Sequence, residues 1–201
     1  MALPVTLPPS RPTAGLVLAG GQSRRMGRNK ALLPVTAQQT LLQYMLQQLQ
    51  VAGCAPVLVS GDAVGGLADR LPEAGPLAGI DSALHALAEH AEIEQVLVVP
   101  VDMPALPPAL LSQLIAAGDG RCAVQLVGDS PLPLLLPSTA AVRAVVAKEL
   151  QPGARRSLRD VLAKLPLRTV ALPTDATTVL ANLNTPSDWL LWQQQDRGDF
   201  S

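Results

Sequence analysis

The feature that most constrains the fold is the segment at residues 95–101, QVLVVPV, whose apolar run at residues 96–101 is unbroken and leads into Asp102. Apolar residues that do not alternate with polar ones are typical of a strand covered on both faces. The run therefore predicts a central strand. Only 2% of the residues are aromatic. The core must then be built from Leu, Val, Ala and Ile, which suits parallel strands packed beneath helices.

Strand-like and helix-like segments alternate on both sides of this run. The further predicted strands are residues 15–19, 56–60, 122–127, 132–136 and 167–172. Predicted helices are residues 38–51, 77–91, 107–117 and 139–150, followed by two that open at capping boxes, Ser157 with Asp160 and Thr185 with Asp188. This order predicts an α/β fold of three layers, a mostly parallel central sheet flanked by helices. Ligands of such folds collect at the carboxyl ends of the strands.

Length and charge restrict the classes of protein that fit. The 201 residues predict one domain at 15–195, after a loose proline-rich tail at 1–14 and before a polar tail at 196–201. A net charge of -1 and few aromatic rings argue against a nucleic-acid partner. The longest apolar runs fall far below the roughly 20 residues of a membrane helix, and the amino terminus lacks a basic leader. We therefore expect a soluble, cytoplasmic protein without a membrane partner.

Two residue types that often carry chemistry are expected to carry none here. Cys54 and Cys122 belong to no CxxC pair, so we expect both to be reduced, buried and inert. His85 and His90 are five residues apart on a predicted helix, outside any HExxH pattern. Surface or packing roles are the expectation for both histidines.

Residues 18–33, LAGGQSRRMGRNKALL, form the first segment with chemical potential. Gly20 and Gly21 would let the backbone approach a ligand and present amides to phosphate oxygens. A hydroxyl and four cations follow within eight residues: Ser23, Arg24, Arg25, Arg28 and Lys30. The spacing fits neither a Walker A loop nor a GxGxxG fingerprint. A polyphosphate would satisfy these cations, although a solvated surface loop is the alternative.

Asp102 is the second candidate, because it ends the predicted central strand between Pro100 and Pro104. Mg²⁺ is often held by one or two protein carboxylates together with substrate phosphates. One aspartate facing a phosphate site is thus chemically sufficient. The alternative is an ordinary Asp-x-Pro turn at the end of a strand.

Two more segments could contact a nucleotide or a second substrate. Residues 75–82, GPLAGIDS, lead into a helix whose first amides could face an anion or a base. Asp69 or Glu73, just before it, could reach a ribose hydroxyl. Asn182 and Asn184 precede the last helix, where their amides could read a heterocycle or could serve only as caps.

Taken together and in this order, LAGGQSRRMGRNKALL, GPLAGI, PVDMP and NLNTP resemble the molybdenum cofactor guanylyltransferase family within the GT-A-like nucleotidyltransferases. The resemblance spans residues 16–192, and Asn-x-Asn-Thr-Pro favours the guanylyl branch. It implies a Rossmann-like nucleotidyltransferase fold. The implied reaction is Mg²⁺-dependent transfer of GMP from GTP to the terminal phosphate of molybdopterin, with release of pyrophosphate.

The resemblance also implies roles for individual residues. Nucleotide binding is implied for Leu18, Ala19, Gly20, Gly21, Arg25, Lys30, Asp69, Gly79 and Asp102. Of these, Arg25, Lys30 and Asp102 would be catalytic, with Asp102 as the Mg²⁺ ligand. Asn182 and Asn184 would face the pterin of the acceptor. The chain departs from the family pattern at Asn29, where many members have aspartate, and at residues 128–133, where a His-Pro pair is frequent.

Alternatives remain open at this point. One is a cytidylyltransferase for the same cofactor, or a nucleotidyltransferase for a sugar or alditol phosphate. Another, of a different class, is a catalytically weakened nucleotide or cofactor carrier. Transient contact with cofactor-insertion proteins or molybdoenzymes is compatible with either class.

Overall fold

The computed structural model describes residues 11–20, 29–61, 65–72, 74–128, 130–172 and 177–196. Its strands are β1 (Thr13–Leu18), β2 (Val57–Ser60), β3 (Gln95–Pro100), β4 (Ala123–Leu126), β5 (Leu134–Pro137) and β6 (Leu167–Val170). Its α-helices are α1 (Leu41–Val51), α2 (Pro76–Ala86), α3 (Pro108–Ala117), α4 (Ala140–Glu149), α5 (Leu158–Leu162) and α6 (Pro186–Asp196). Short 3-10 helices lie at Lys30–Leu32, Leu87–Glu89 and Thr177–Leu180.

The strands form one sheet in the order β2-β1-β3-β5-β4-β6. β1 pairs in parallel with β2 and β3, so that Leu16 lies opposite Leu58 and Val98. β5 is antiparallel to both β3 and β4. Only residues 127–133 join β4 to β5, too few for the crossover that a parallel pair needs. The predicted mostly parallel sheet with β3 inside it is confirmed, with β5 as the reversed strand.

Helices cover both faces and complete the three predicted layers. Alternate β1 side chains serve opposite cores: Val17 joins a cluster that includes Leu49 of α1, and Leu16 joins another that includes Leu84 of α2. α3 and α6 contribute to the first cluster, α4 and α5 to the second. Within the described ranges, no helix is both long enough and apolar enough to cross a membrane.

Several element boundaries differ from the prediction. β1 begins at Thr13, because Thr13 and Ala14 pair with Gln95 and Val96; both residues are buried, so placing them in a loose tail was wrong. α1 begins only at Leu41, since Thr40 caps it with a full capping box. α5 is five residues long, and Ser157 makes no side-chain cap bond. The capping box predicted there is therefore wrong.

The predictions for cysteine and histidine hold in part. Cys54 is buried and free, and burial raises its pKa to about 12, as expected of an inert thiol. Cys122 is free but only half-buried, which corrects the expectation of burial. α2 ends at Ala86, so His90 lies beyond the helix and contacts Glu92 at 3.1 Å.

Gly79 is the fourth residue of α2, where the helix packs directly on the sheet. A Cβ at this position would lie 2.7 Å from Ser60 Cβ, and closer still to its Oγ. We expect Gly79→Ala to destabilise the protein by about 1–3 kcal/mol in urea unfolding, the usual cost of overpacking. In an open helix the same change would stabilise by about 0.5–1 kcal/mol.

The matched background for this measurement is Ser60→Gly, which removes the side chain in the way. In the Ser60→Gly background, Gly79→Ala should lower the free energy of unfolding much less than in wild type, or should raise it. If Gly79→Ala stabilised the otherwise wild-type protein, this account of the packing would be wrong.

Candidate active site

The candidate site lies at the carboxyl edge of the sheet, the edge where β1, β2 and β3 end. Val101 N donates to Leu18 O at 3.1 Å, which joins the ends of β3 and β1. Leu183 N donates to Asp102 O at 2.8 Å. The segment that precedes α6 is thereby tied to the end of β3. Asp102 and the Asn-x-Asn segment, 80 residues apart in sequence, are neighbours in the fold.

Lys30 connects three of the predicted segments at this edge, residues 18–33, 100–104 and 182–186. Its Nζ lies 3.0 Å from Asp102 Oδ2 and 2.9 Å from Asn184 Oδ1. The side chains of Lys30 and Asp102 are 14% and 23% exposed, so the ion pair is shielded yet reachable from solvent. One ammonium thus faces a carboxylate and an amide oxygen.

The backbone around Lys30 is fixed by local hydrogen bonds. Lys30 opens the 3-10 helix Lys30–Leu32, and Asn29 Oδ1 accepts from Ala31 N at 3.0 Å. Leu33 N donates to Lys30 O at 3.1 Å and closes the turn. This cap needs only the neutral amide oxygen of Asn29.

The segment before α6 is held by the capping box that the sequence predicts. Asp188 Oδ2 accepts from Asn184 N at 2.9 Å and from Thr185 N at 2.8 Å. Thr185 Oγ1 accepts in return from Asp188 N at 3.2 Å. The N–H groups of Thr185 and Asn184 hold the pKa of the Asp188 carboxyl below its usual value, and the charge of Lys30 adds to this.

Two buried tryptophans anchor α6 itself. Trp189 and Trp192 have ring centroids 5.2 Å apart, and Trp192 meets the ring of Tyr44 in α1 edge-on at 5.8 Å. α6 is therefore fixed to the face that carries α1. The sequence signals for this helix are the capping box and the spacing of the tryptophans.

Close backbone packing surrounds the end of β1. Leu18 and Ala19 are buried, so they could offer a ligand mainly their backbone, and Ala19 N already donates to Ser60 O at 3.2 Å. Gly20 is exposed and touches Gly61, where an added Cβ would lie 2.8 Å from Gly20 Cα. The predicted residues Gly21, Ser23, Arg24, Arg25 and Arg28 lie outside the described residues.

The other predicted contacts are distributed around this edge. Asp69 is half-buried, just beyond Leu67, whose N donates to Val59 O and extends the sheet past β2. The next residue, Arg70, is held by Asp81 at 2.9 Å. Asn182 is exposed, and Glu73 lies outside the described residues. The packing of Gly79 against Ser60 accounts for its glycine, and a nucleotide contact there stays a prediction.

The oxygen atoms of Asp102 and Asn184 fit a hard cation whose other ligands are waters and substrate phosphates. In the described part of the chain, no group of three or more His, Cys, Asp or Glu side chains could enclose a metal. Asp102 and Asn184 offer oxygen atoms around a position that already attracts an ammonium. Mg²⁺ suits one protein carboxylate completed by waters and phosphates.

A mostly parallel α/β sheet of this kind is Rossmann-like, and ligands of such folds bind outside the carboxyl ends of the strands, where Lys30 and Asp102 lie together. Residues 15–169 match the family model described as MobA-like NTP transferase domain, and the chain therefore belongs to this family. The predicted fold, enzyme class and family resemblance are confirmed.

Curated relatives match nearly the whole chain. A molybdenum cofactor guanylyltransferase from Xanthomonas euvesicatoria pv. vesicatoria is 40% identical over 182 residues, 89% of this chain and 93% of that protein. A probable molybdenum cofactor guanylyltransferase from Opitutus terrae is 38% identical over 189 residues, 87% of this chain and 92% of that protein.

Solved structures share the fold at low sequence identity. Molybdopterin-guanine dinucleotide biosynthesis protein A from Archaeoglobus fulgidus superposes with a TM-score of 0.64 at 18% identity, covering 92% of this chain and 99% of that one. The 2-C-methyl-D-erythritol 4-phosphate cytidylyltransferase from Thermus thermophilus gives 0.60 at 19%, covering 90% and 98%. At this sequence identity, the similarity shows a shared fold and does not identify the substrate.

Proposed function

We propose that the protein transfers GMP from GTP to the terminal phosphate of molybdopterin, forming the guanine dinucleotide of the cofactor and releasing pyrophosphate. The observation that carries the proposal is the convergence of Lys30 on Asp102 and Asn184. These residues come from the three segments expected to meet triphosphate, metal and acceptor. The names of the curated relatives support the choice of substrates.

The reaction needs no nucleophile from the protein. An oxygen of the acceptor phosphate attacks the α-phosphorus of GTP, the bond from the α-phosphorus to the bridging oxygen breaks, and pyrophosphate leaves. Catalysis then rests on aligning the reacting groups and neutralising their charge. The attacking phosphate and the departing pyrophosphate are both anionic. Cations that neutralise their charge are therefore the most important catalytic groups.

The residues at the carboxyl edge can meet these needs. Asp102 would hold Mg²⁺, which when bound neutralises phosphate charge. Lys30 would exchange Asp102 for oxygens of the triphosphate and stabilise the departing pyrophosphate, together with Arg25. Nucleotide contacts are proposed for Leu18, Ala19, Gly20, Gly21, Asp69 and Gly79. Asn182 and Asn184 are proposed to face the pterin, Asn184 through its Nδ2 group, since its Oδ1 accepts from Lys30.

The test is one incubation of the protein with Mg²⁺, molybdopterin and equal concentrations of GTP, CTP, ATP and UTP, with products identified by mass spectrometry. We expect the guanine dinucleotide as the main product, with one pyrophosphate per dinucleotide. A reaction without acceptor should release no pyrophosphate, and chelation of Mg²⁺ should abolish the product.

Each other outcome points elsewhere. A cytosine dinucleotide would replace the proposal by the cytidylyl reaction. Bound GTP without pyrophosphate release, even with acceptor present, would favour a carrier that delivers cofactor to insertion proteins or molybdoenzymes. A cytoplasmic location, where GTP is available, is part of the proposal and is checked by fractionating cells.

A further inference from the structure

Asp188 makes one more hydrogen bond than a capping box requires. In a capping box the acidic side chain accepts from the N–H of the capping residue, here Thr185. Asp188 Oδ2 also accepts from Asn184 N, one residue outside the helix. The second bond adds a constraint on Asn184, whose side chain is the one that reaches Lys30.

Asn184 is consequently held from both sides. On one side, Asp102 O accepts from the N–H of the preceding residue, Leu183, at 2.8 Å. On the other, Asp188 fixes the N–H of Asn184 itself at 2.9 Å. Asn184 is exposed, so packing contributes little to its orientation. Its position against Lys30 therefore depends on these hydrogen bonds.

The charges agree with this arrangement. Lys30 meets Asp102 directly, and its charge also acts on Asp188. Asp188 thus supplies negative potential near the ammonium while its oxygen is engaged by backbone N–H groups.

We propose that Asp188 is a positioning residue, which holds Asn184 so that Asn184 Oδ1 steadies the Lys30 ammonium where it meets the triphosphate. The inference rests on the proposed function for its substrates. Asp188 would then affect catalysis only through the position of Asn184. A loss of alignment at a reacting centre can cost about 100-fold in rate.

The test is a double-mutant cycle of Asp188→Ala and Asn184→Ala, with kcat, KM for GTP and the affinity for Mg²⁺-GTP measured for each variant. We expect Asp188→Ala to lower kcat/KM by about 10- to 100-fold. The double variant should fall within about twofold of Asn184→Ala alone, because groups that act as one unit are not additive. If the loss of kcat/KM in the double variant equalled the product of the two single losses, the inference would be wrong.

Thr185→Ala separates positioning from helix capping. It removes the bond from Asp188 N to Thr185 Oγ1 and leaves both N–H groups that Asp188 accepts from. We expect a lower melting temperature with kcat/KM within about threefold of wild type, since only the cap is touched. A loss of kcat/KM as large as that of Asp188→Ala would assign the effect to the cap and overturn the inference.

The affinity measurement keeps the two proposals distinguishable. If wild type makes no guanine dinucleotide but the cycle on Mg²⁺-nucleotide affinity is non-additive, the proposed function fails and the positioning role stands. If the dinucleotide forms and the cycle is additive, the function stands and the positioning role fails. A wild type that binds no nucleotide would overturn both.

Discussion

Asp102→Asn is expected to lower turnover by about 10²–10³-fold at saturating GTP and Mg²⁺, the range seen when a positioned electrostatic group is lost from an active site. The amide keeps the shape of the side chain and an oxygen donor, but it removes the negative charge that would attract Mg²⁺. It also removes the ionic partner of Lys30 at 3.0 Å. The measurement is dinucleotide formation at increasing Mg²⁺ concentrations.

The fold should survive this substitution. Asp102 O, which accepts from Leu183 N, belongs to the backbone and is unchanged. A matched control is Asp160→Asn in α5, on the opposite face of the sheet from α6; among the described residues, the Asp160 carboxylate has no side-chain partner. We expect it to retain turnover within about twofold, because it removes the same charge away from Lys30 and Asp102. Full turnover of Asp102→Asn would remove Asp102 from the proposed site.

Patterns local in sequence predicted much of the fold and the candidate site. The unbroken apolar run identified β3 and placed Asp102 at its end, because burial on both faces leaves no polar alternation. Likewise the Thr185 and Asp188 pair predicted the start of α6, since capping depends on residues three positions apart. Lys30, Asp102 and Asn184 each lie in a segment whose own sequence predicts a ligand contact, and the structure brings the three side chains together.

Features that depend on distant contacts were beyond such patterns. The place of β5 between β3 and β4 is one such feature, because the pattern within a strand does not identify its neighbours in the sheet. The packing of Gly79 against Ser60 also joins residues distant in sequence, and the nucleotide contact implied for Gly79 stays a prediction. The second hydrogen bond of Asp188, to Asn184, depends on how the chain enters α6.

Lys30→Met is expected to change two affinities in opposite directions. The variant keeps the length of the side chain and removes the ammonium that meets Asp102 at 3.0 Å and Asn184 at 2.9 Å. Loss of a cation positioned on the transferred phosphates should lower kcat/KM by about 10²–10³-fold, and the Kd for GTP should rise. The check is steady-state kinetics together with equilibrium dialysis of GTP.

Without nucleotide, the same variant should bind Mg²⁺ at least severalfold more tightly, because Asp102 loses the ammonium that would compete with the cation for its carboxylate. Calorimetric titration of Mg²⁺ into nucleotide-free protein measures this. Lys148→Met, at an exposed position in α4, is the control and should leave both affinities unchanged. If Lys30→Met weakened Mg²⁺ binding instead, Lys30 and the cation would not compete for Asp102. The exchange of Lys30 from Asp102 to the triphosphate, on which the proposed reaction depends, would then be wrong.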